Sequence, residues 1–143
     1  MIHFKLFTLR GTKFDDDVYE VVLPTLDGQI GVLEDQMPLT SVATDGVISI
    51  RRDSRDSDSR MDHYAVSGGV IEVADNNLRV LVDEADHGDD INEVEAQKAY
   101  ERAQELKAEA KDQASLEHAQ ALIDRQAVRL HVAGLKRRHS GRS

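Results

Sequence analysis

The chain has 143 residues and a formal net charge of −9 at pH 7, a length that fits one domain or a domain with an appendage. It has no cysteine, which excludes a disulfide framework, a thiolate zinc site and cysteine catalysis, and no apolar run approaches the roughly 18 residues of a membrane helix, so we expect a soluble chain. Residues 1–90 carry 8 Lys and Arg against 19 Asp and Glu, which argues against nucleic-acid binding.

Glycine and proline divide the chain into two parts. Neither residue occurs between Gly88 and Gly134, whereas the first 88 residues hold seven of the nine glycines and both prolines. Because both residues mark turns, the first part is typical of short strands and the second of helices. We therefore predict an α+β chain. An N-terminal antiparallel β-sandwich over residues 1–88 precedes a C-terminal antiparallel two-helix hairpin over residues 89–143, which ends in a basic tail.

In the first part, alternating strands are separated by turn signals. Residues 2–6 (IHFKL) alternate with period two, as in a strand with one buried face. The strongest β-hairpin signals are Asp-Gly at residues 27–28 and 45–46, and Asp-Asn-Asn at residues 75–77 offers a third turn. Residues 51–60 (RRDSRDSDSR) contain no hydrophobic residue and predict a solvated loop between two strands. Such regular spacing predicts a sandwich or barrel.

The second part begins with a helix start signal. Asn92, followed three residues later by Glu95, nearly matches a capping box, and Ser115 is the candidate cap of a second helix. Each helix is then roughly 18 residues long, and the short link folds the pair antiparallel. The facing stripes are Ala96, Ala99, Ala103, Leu106 and Ala110 on the first helix and Leu116, Ala119, Ile123, Ala127 and Leu130 on the second.

This alanine-rich seam predicts a weakly closed helical hairpin. An alanine methyl buries far less apolar surface than a leucine side chain, so closing the pair stabilises it little. Alanine also has the highest helix propensity, so each helix could remain helical away from its partner. We hypothesise that the helical hairpin is bistable.

Basic residues collect toward the C-terminus. Lys136, Arg137 and Arg138 follow a predicted helix that already carries Arg125 and Arg129. One interpretation is that cations simply suit a helix C-terminus. The other is an arm whose tip binds an acidic surface of a partner.

Several short motifs occur in a fixed order along the chain. Residues 28–33 read GQIGVL, with MPLT at 37–40; residues 67–73 read SGGVIEV, with LRVLVD at 78–83; residues 129–133 read RLHVA. They are similar to G-x-[LI]-G-[IV]-[LY] with x-P-L, S-G-G-[FIV]-[LI]-E-V and R-L-x-V-A of one family. The chain thus resembles the epsilon subunit of the F-type rotary ATP synthase over nearly its whole length.

The resemblance implies a non-catalytic rotor subunit of the central stalk. Its sandwich would bind the gamma subunit and rest on the membrane ring of c subunits, coupling the alpha/beta catalytic head to that ring during ion-driven ATP synthesis. Its helical hairpin would extend along gamma into the head and restrain ATP hydrolysis. The resemblance also implies a peripheral location on the cytoplasmic face of the bacterial plasma membrane.

The resemblance also assigns residues. The candidates for contact with the c ring or gamma are Gln29, Glu34, Asp35, Gln36 and Met37, where the family commonly has P-G-H and this chain has E-D-Q. The glycines with a structural role are Gly28, Gly31, Gly68 and Gly69. The basic residues that would face an acidic segment of the beta subunits are Arg125, Arg129, Lys136, Arg137 and Arg138.

Some bacterial members of that family bind regulatory ATP through a stretch like I-D-x-x-R-A and arginines of the second helix. Here the stretch begins at Ile91, with Asn92 in place of the acid and Glu95 in place of the arginine. A glutamate repels phosphates, so we expect no cofactor. ATP binding by Ile91, Arg125 and Arg129 is the alternative.

Other classes of function have less support. The six histidines lack paired metal-ligand spacing, and Asp15-Asp16-Asp17 is interpreted as a solvated turn, so we expect no metal site. No phosphate-binding loop, nucleophile elbow or dinucleotide motif occurs. The alternatives left open are a free-standing adaptor whose helical arm inserts into another groove, and a small hydrolase that uses the many carboxylates.

Overall fold

The computed structural model describes the backbone of residues 1–140 and the side chains of residues 1–135, and within them eight strands precede two helices. The strands are β1 (Ile2–Thr8), β2 (Gly11–Val18), β3 (Glu20–Thr25), β4 (Gly28–Val32), β5 (Leu39–Ala43), β6 (Gly46–Arg51), β7 (Asp62–Ala74) and β8 (Asn77–His87). The helices are α1 (Glu93–Glu109) and α2 (Gln113–Ser140), and 3-10 turns span Asp58–Arg60 and Gly88–Asp90. The predicted fold class, a β-sandwich followed by two helices, is confirmed.

The long strands β7 and β8 belong to both layers of the sandwich. The first half of β7 pairs with β6 and its second half pairs with β5. One layer therefore has the strand order β2-β1-β8-β7-β5, and the other contains β4, β3, β6 and the opposite half of the β7–β8 hairpin. Among the described strands every pairing is antiparallel except that of β1 with β8, which is parallel.

The main core lies between these layers and is built only from strand residues. Alternate residues of β1 and β8, such as Phe4 and Val80, are fully buried, as the period-two pattern requires. They face Val21, Leu23 and Ile48 of the other layer, which are also fully buried. The main core thus extends from Ile2 to Ala85 without any residue of the helices.

The two shared strands change their buried face where they cross between layers. In β7, Tyr64 and Val66 enter the core in the first half, and Ile71 and Val73 enter it in the second half. β8 makes the matching change between Val82 and Ala85. The change leaves two cross-strand pairs on the outer side of the second layer: Ala65 with Asp86, and Ser67 with Glu84.

Two of the three predicted turns close β-hairpins, and one does not. Gly28 has φ of 106° where β3 meets β4, and Asp75 and Asn76 have φ of 52° and 60° between β7 and β8. By contrast, Asp45 and Gly46 join β5 to β6, which pair with different parts of β7 and not with each other within residues 1–140. The prediction of a β-hairpin there was wrong because the chain changes layers at that corner.

The acidic run of residues 15–17 was predicted as a turn, and this was also wrong. Asp15, Asp16 and Asp17 lie inside the edge strand β2, opposite Lys5, Phe4 and His3 of β1. Charged residues on an edge strand discourage pairing with further strands, which gives the run a structural reason. Residues 52–57 do form the predicted loop between β6 and β7.

The helix caps differ in one place from those that the sequence predicts. Asn92 caps α1, because its Oδ1 accepts a hydrogen bond from the Glu95 N–H at 3.0 Å. For α2 the cap is Asp112 and not Ser115, since the Ser115 N–H donates to Asp112 Oδ1 at 2.7 Å. The helices are also unequal, with 17 residues in α1 and 28 in α2.

The seam between the helices is narrower than predicted. Ala96, Ala103 and Ala119 are buried, but Leu106 and Leu116 remain 48% and 36% exposed near the turn of the helical hairpin. α2 contacts both α1 and the second layer of the sandwich. The helical hairpin therefore depends on the sandwich as well as on its own seam.

We expect a chain ending at Asp90 to fold, because the main core lies wholly within residues 2–85. It should keep a cooperative thermal transition, with a midpoint within about 5 °C of the full chain, a shift that corresponds to ~1 kcal/mol in a domain of this size. Calorimetry and amide-proton dispersion in NMR spectra measure this. A chain ending at Val80 is the control, since it loses half of β8 and should not fold. If folding required the helices, the chain ending at Asp90 would instead give a poorly dispersed spectrum and no cooperative transition.

Stability should depend on pH through His3. Its Nδ1 lies 2.8 Å from Asp17 Oδ1 and its Nε2 lies 2.5 Å from Asp15 Oδ1, and these hydrogen bonds raise the pKa of His3 above 6.5. The stabilisation is complete below pH 6.5 and is lost as the pH rises through the raised pKa. Urea unfolding of the wild type and His3→Gln should therefore differ most at acid pH. His118→Gln, on the exposed surface of α2, is the control, and a gap of the same size at all pH values would contradict the prediction.

Candidate functional site

The outer side of the second layer is covered by α2 through two arginines. Arg125 Nη1 lies 3.4 Å from Glu84 Oε1, and Arg129 Nη1 donates a hydrogen bond to Asp86 Oδ2. The Arg129 side chain is 25% exposed and that of Asp86 is 37% exposed, so water reaches the edge of this contact. We call these four residues the arginine latch. It joins the end of β8 to the middle of α2.

A small apolar cluster continues the contact toward the C-terminal end of α2. Ala65 of β7, Ile91, Ala96, Val132 and Ala133 are buried together. Val47, Val128 and Leu130 pack against them in partly buried positions. This cluster is separate from the main core and contains few large side chains, so it adds modestly to the binding of the helical hairpin.

A cavity of about 10 Å³ lies beside the arginine latch. Ser67 Oγ and Arg125 Nε are buried there, and the described residues give neither atom a hydrogen-bond partner. Buried polar groups normally have a partner in protein or water, and a cavity of this size has room for about one water molecule. A water molecule in this space would give both atoms a hydrogen-bond partner.

In the folded helical hairpin, the candidate nucleotide residues do not form a nucleotide site. Ile91 is buried in the apolar cluster, and Arg125 and Arg129 are held by Glu84 and Asp86. Asn92 uses its side chain to cap α1, and the cavity beside the arginines is far smaller than a nucleotide. The residues present therefore do not fit ATP in this arrangement.

The basic arm is described only in part. Arg125 and Arg129 contact acids of the sandwich rather than projecting into solvent. Lys136, Arg137 and Arg138 lie outside the residues whose side chains are described. Their role stays a prediction.

A second surface lies on the outer side of the first layer. A cross-strand row of apolar side chains runs through Val42 of β5, Val70 of β7, Leu81 of β8 and Phe7 of β1. Val42 and Val70 are 51% and 50% exposed. We call these four residues the apolar row. Contiguous exposed apolar surface on a sheet face is typical of a protein–protein contact.

Charged residues border the apolar row. The next row of the same face holds Thr40, Glu72, Arg79, Lys5 and Asp15. Lys5 Nζ lies 5.3 Å and Arg79 Cζ 5.5 Å from the centre of the Phe7 ring. An apolar centre with charges at its rim has the composition of a protein interface.

The candidate c-ring contacts occupy the loop between β4 and β5. Glu34, Asp35, Gln36 and Met37 are all exposed there, Met37 by 79%. The Met1 amino group lies 3.3 Å from Glu34 Oε2, and the Asp35 N–H donates to Asn76 Oδ1 at 2.7 Å. The loop is thus anchored while its side chains point outward. Gln29 is exposed at the opposite end of β4, so the structure does not bring it into the loop.

The four candidate glycines differ in what requires them. A Cβ at Gly69 would lie 1.8 Å from the Leu81 carbonyl oxygen, and one at Gly68 would lie 3.1 Å from that of Ala43. Gly28 has a positive φ, as a turn demands. A Cβ at Gly31 would meet only the Glu20 side chain at 3.6 Å, so packing does not require glycine there.

Neither the apolar row nor the two acids of the arginine latch were predicted from the sequence. The signal for the row was present, since Val42 and Val70 fall on the outward positions of alternating strands. No comparable signal identified Glu84 and Asp86 among the many acids. Among residues 1–135 no three histidines or carboxylates form a metal-binding cluster. None of the helices in the described residues is both long and apolar enough to cross a membrane.

Comparisons with known proteins agree with this architecture. The family model described as "ATP synthase, Delta/Epsilon chain, beta-sandwich domain" matches residues 1–88. The ATP synthase epsilon chain of Gloeobacter violaceus is 32% identical over 133 residues, which are 93% of this chain and 97% of that protein. The one of Chloroflexus aggregans is 32% identical over 142 residues, which are 97% of this chain and 99% of that protein.

Solved structures share the fold. A chain in the mitochondrial ATP synthase of Euglena gracilis, solved with OSCP, F1 and the c-ring, superposes with a TM-score of 0.77 at 21% identity, covering 92% of this chain and 80% of that one. A chain from the central stalk and c-ring of the Tetrahymena thermophila enzyme gives a TM-score of 0.51 at 16% identity, with 63% and 69% covered. With the family model over the sandwich and relatives matched along nearly their full length, the chain belongs to the family of ATP synthase epsilon chains, non-catalytic subunits of the enzyme.

Proposed function

We propose that this chain is a rotor subunit that couples the catalytic head of an F-type ATP synthase to the membrane c ring, with a helical hairpin that can restrain ATP hydrolysis. The observation that carries the proposal is the separation of two outer faces. One face of the sandwich has an exposed apolar row, and the other is covered by the helical hairpin. A partner can therefore bind the first face whether or not the helical hairpin leaves the second.

The partner proposed for the apolar row is the gamma subunit. A rotor subunit must stay fixed to the stalk while the head passes through its catalytic cycle, so its main contact should be apolar and permanent. Val42 and Val70 supply the exposed apolar centre, and Lys5, Arg79 and Glu72 supply charges at the rim. Contacts of this composition give both affinity and orientation.

The loop between β4 and β5 is proposed to rest on the c ring. It presents Glu34, Asp35 and Gln36 beside the exposed Met37 side chain. An acidic loop is best matched by a ring whose polar loops carry basic or amide groups. In the proposed arrangement the chain lies at the cytoplasmic face of a bacterial plasma membrane, attached through the complex.

The helical hairpin is proposed as the movable part. Its seam buries mainly alanines, and its contact with the sandwich is a partly exposed arginine latch beside a small apolar cluster. The free energy that favours the folded over the extended state is then small enough for a binding partner to overcome. Extended, the arm would present Arg125, Arg129, Lys136, Arg137 and Arg138 to an acidic segment of the beta subunits.

The competing proposal of a free-standing adaptor lacks an observation of its own. It shares the exposed apolar row, but it requires a partner outside the ATP synthase. Co-purification separates the two, since only the rotor subunit should emerge with gamma.

Charge placed in the apolar row should weaken binding to gamma. We expect Val42→Lys or Val70→Lys to lower the affinity about 10-fold to 100-fold, the usual cost at the centre of an interface. The free energy of unfolding should change by about 1 kcal/mol or less, because both side chains are half exposed. Titration calorimetry with the cognate gamma subunit measures the affinity. Leu26→Lys, at a leucine 73% exposed in the turn between β3 and β4 and outside the apolar row, is the control and should bind as the wild type does.

Adding the subunit back to a catalytic head stripped of it tests the arm. We expect the full chain to bind and slow ATP hydrolysis, whereas the chain ending at Asp90 should bind without slowing it, because it keeps the sandwich and loses the arm. Steady-state hydrolysis and co-sedimentation measure the two effects. Equal rates of ATP hydrolysis with either chain bound would show that the helical hairpin does not inhibit. If neither chain bound, the assignment as a rotor subunit would be refuted.

A further inference from the structure

We infer that Glu84 and Asp86 act as a built-in anionic ligand for Arg125 and Arg129, which holds the helical hairpin on the sandwich without a bound nucleotide. The inference rests on the proposed role of the arm as a switch and deepens it. Its test reads the position of the helical hairpin in the isolated chain, so it can fail while binding to gamma still supports the rotor role.

The spacing of the four residues matches across the two elements. Arg125 and Arg129 lie four residues apart on α2, which places them about 6 Å apart along the helix axis. Glu84 and Asp86 lie two residues apart on β8, which places them about 6.6 Å apart along the strand. Each arginine therefore reaches its own carboxylate without bending either element. The two ion pairs together fix the position of α2 along β8.

The change of buried face in β8 makes these acids available to α2. Had β8 kept the alternation of Leu78, Val80 and Val82, residue 84 would face the core. The crossing instead buries Ala85 and directs Glu84 and Asp86 outward, beside Ser67 and Ala65. The fold of the sandwich therefore determines that Glu84 and Asp86 face α2.

The same arrangement leaves no place for a phosphate. The carboxylates of Glu84 and Asp86 already neutralise part of the charge of the two arginines, and they would repel a second anion that approached them. The cavity between the arginines and Ser67 has room for only about one water molecule. The carboxylates thus supply within the chain the negative charge that an anionic ligand would bring.

Release of the arm then becomes an exchange of carboxylate partners. Arg125 and Arg129 cannot hold the sandwich acids and an outside acidic surface with the same donors. The latch is 25% to 50% exposed, so salt and competing carboxylates reach it. We expect salt and acidic surfaces, rather than ATP, to control the position of the helical hairpin.

The full chain allows a direct test. Because it contains no cysteine, spin labels attach only to cysteines that are introduced in pairs. Nitroxide labels on Leu26→Cys and Lys111→Cys, both exposed, report the distance between the sandwich and the hairpin turn by pulsed electron resonance. In the labelled chain whose arginine latch is unchanged, we expect one narrow distribution of distances, and MgATP should not alter it. Combining Glu84→Gln with Asp86→Asn should broaden it.

In this double variant we expect the ratio of docked to released helical hairpins to fall about tenfold, because two partly exposed ion pairs are lost. Asp83→Asn is the matched control, because it removes the same kind of charge from β8 at a residue with no ion pair among the described residues, and its distribution should stay narrow. Arg129→Glu should release the helical hairpin, and adding Asp86→Arg to it should restore the narrow distribution.

Two results would overturn the inference. If MgATP narrowed the distribution of the unmodified latch, a nucleotide and not the sandwich acids would be the ligand. If Glu84→Gln with Asp86→Asn stayed as narrow as Asp83→Asn, the apolar cluster alone would hold the helical hairpin. Either outcome leaves the calorimetric test of gamma binding unaffected.

Discussion

The β-hairpin of β7 and β8 belongs to both layers of the sandwich because the β7 backbone comes very close to β8 at Gly69, where it faces the Leu81 carbonyl. A side chain at this point would overlap β8, so the crossing depends on glycine. On one side of the crossing, Val70 and Leu81 contribute to the apolar row, and on the other Ser67 and Glu84 face α2. Both functional surfaces therefore depend on the same two strands.

The sandwich and the helical hairpin differ strongly in how they are stabilised. The sandwich buries Phe4, Leu23, Ile48 and similar large side chains completely, whereas the helices bury Ala96, Ala103 and Ala119. A buried leucine contributes about 1.5 to 3 kcal/mol and an alanine methyl much less. This difference supports the proposal that the sandwich stays folded while the helical hairpin exchanges partners.

Carboxylates have three separate tasks in this acidic chain. Asp15 and Asp17 hold His3 at the edge of the first layer, Asp112 caps α2, and Glu84 and Asp86 hold the arm. Asp62 shows how such contacts act: burial alone would raise its pKa, but hydrogen bonds from Arg52 and His87 outweigh that and lower it. The net charge of −9 therefore includes many acids with defined partners.

Local patterns and short motifs were enough to predict the two-part organisation, the alternation of β1, the cap at Asn92 and the family. They did not predict that Asp45 and Gly46 turn a corner between layers or that the buried face of β8 changes after Val82. Those features arise from the twist and crossing of paired strands. Glu84 and Asp86 could be selected from 27 acidic residues only in the folded chain, since contacts distant in sequence depend on how the layers pack.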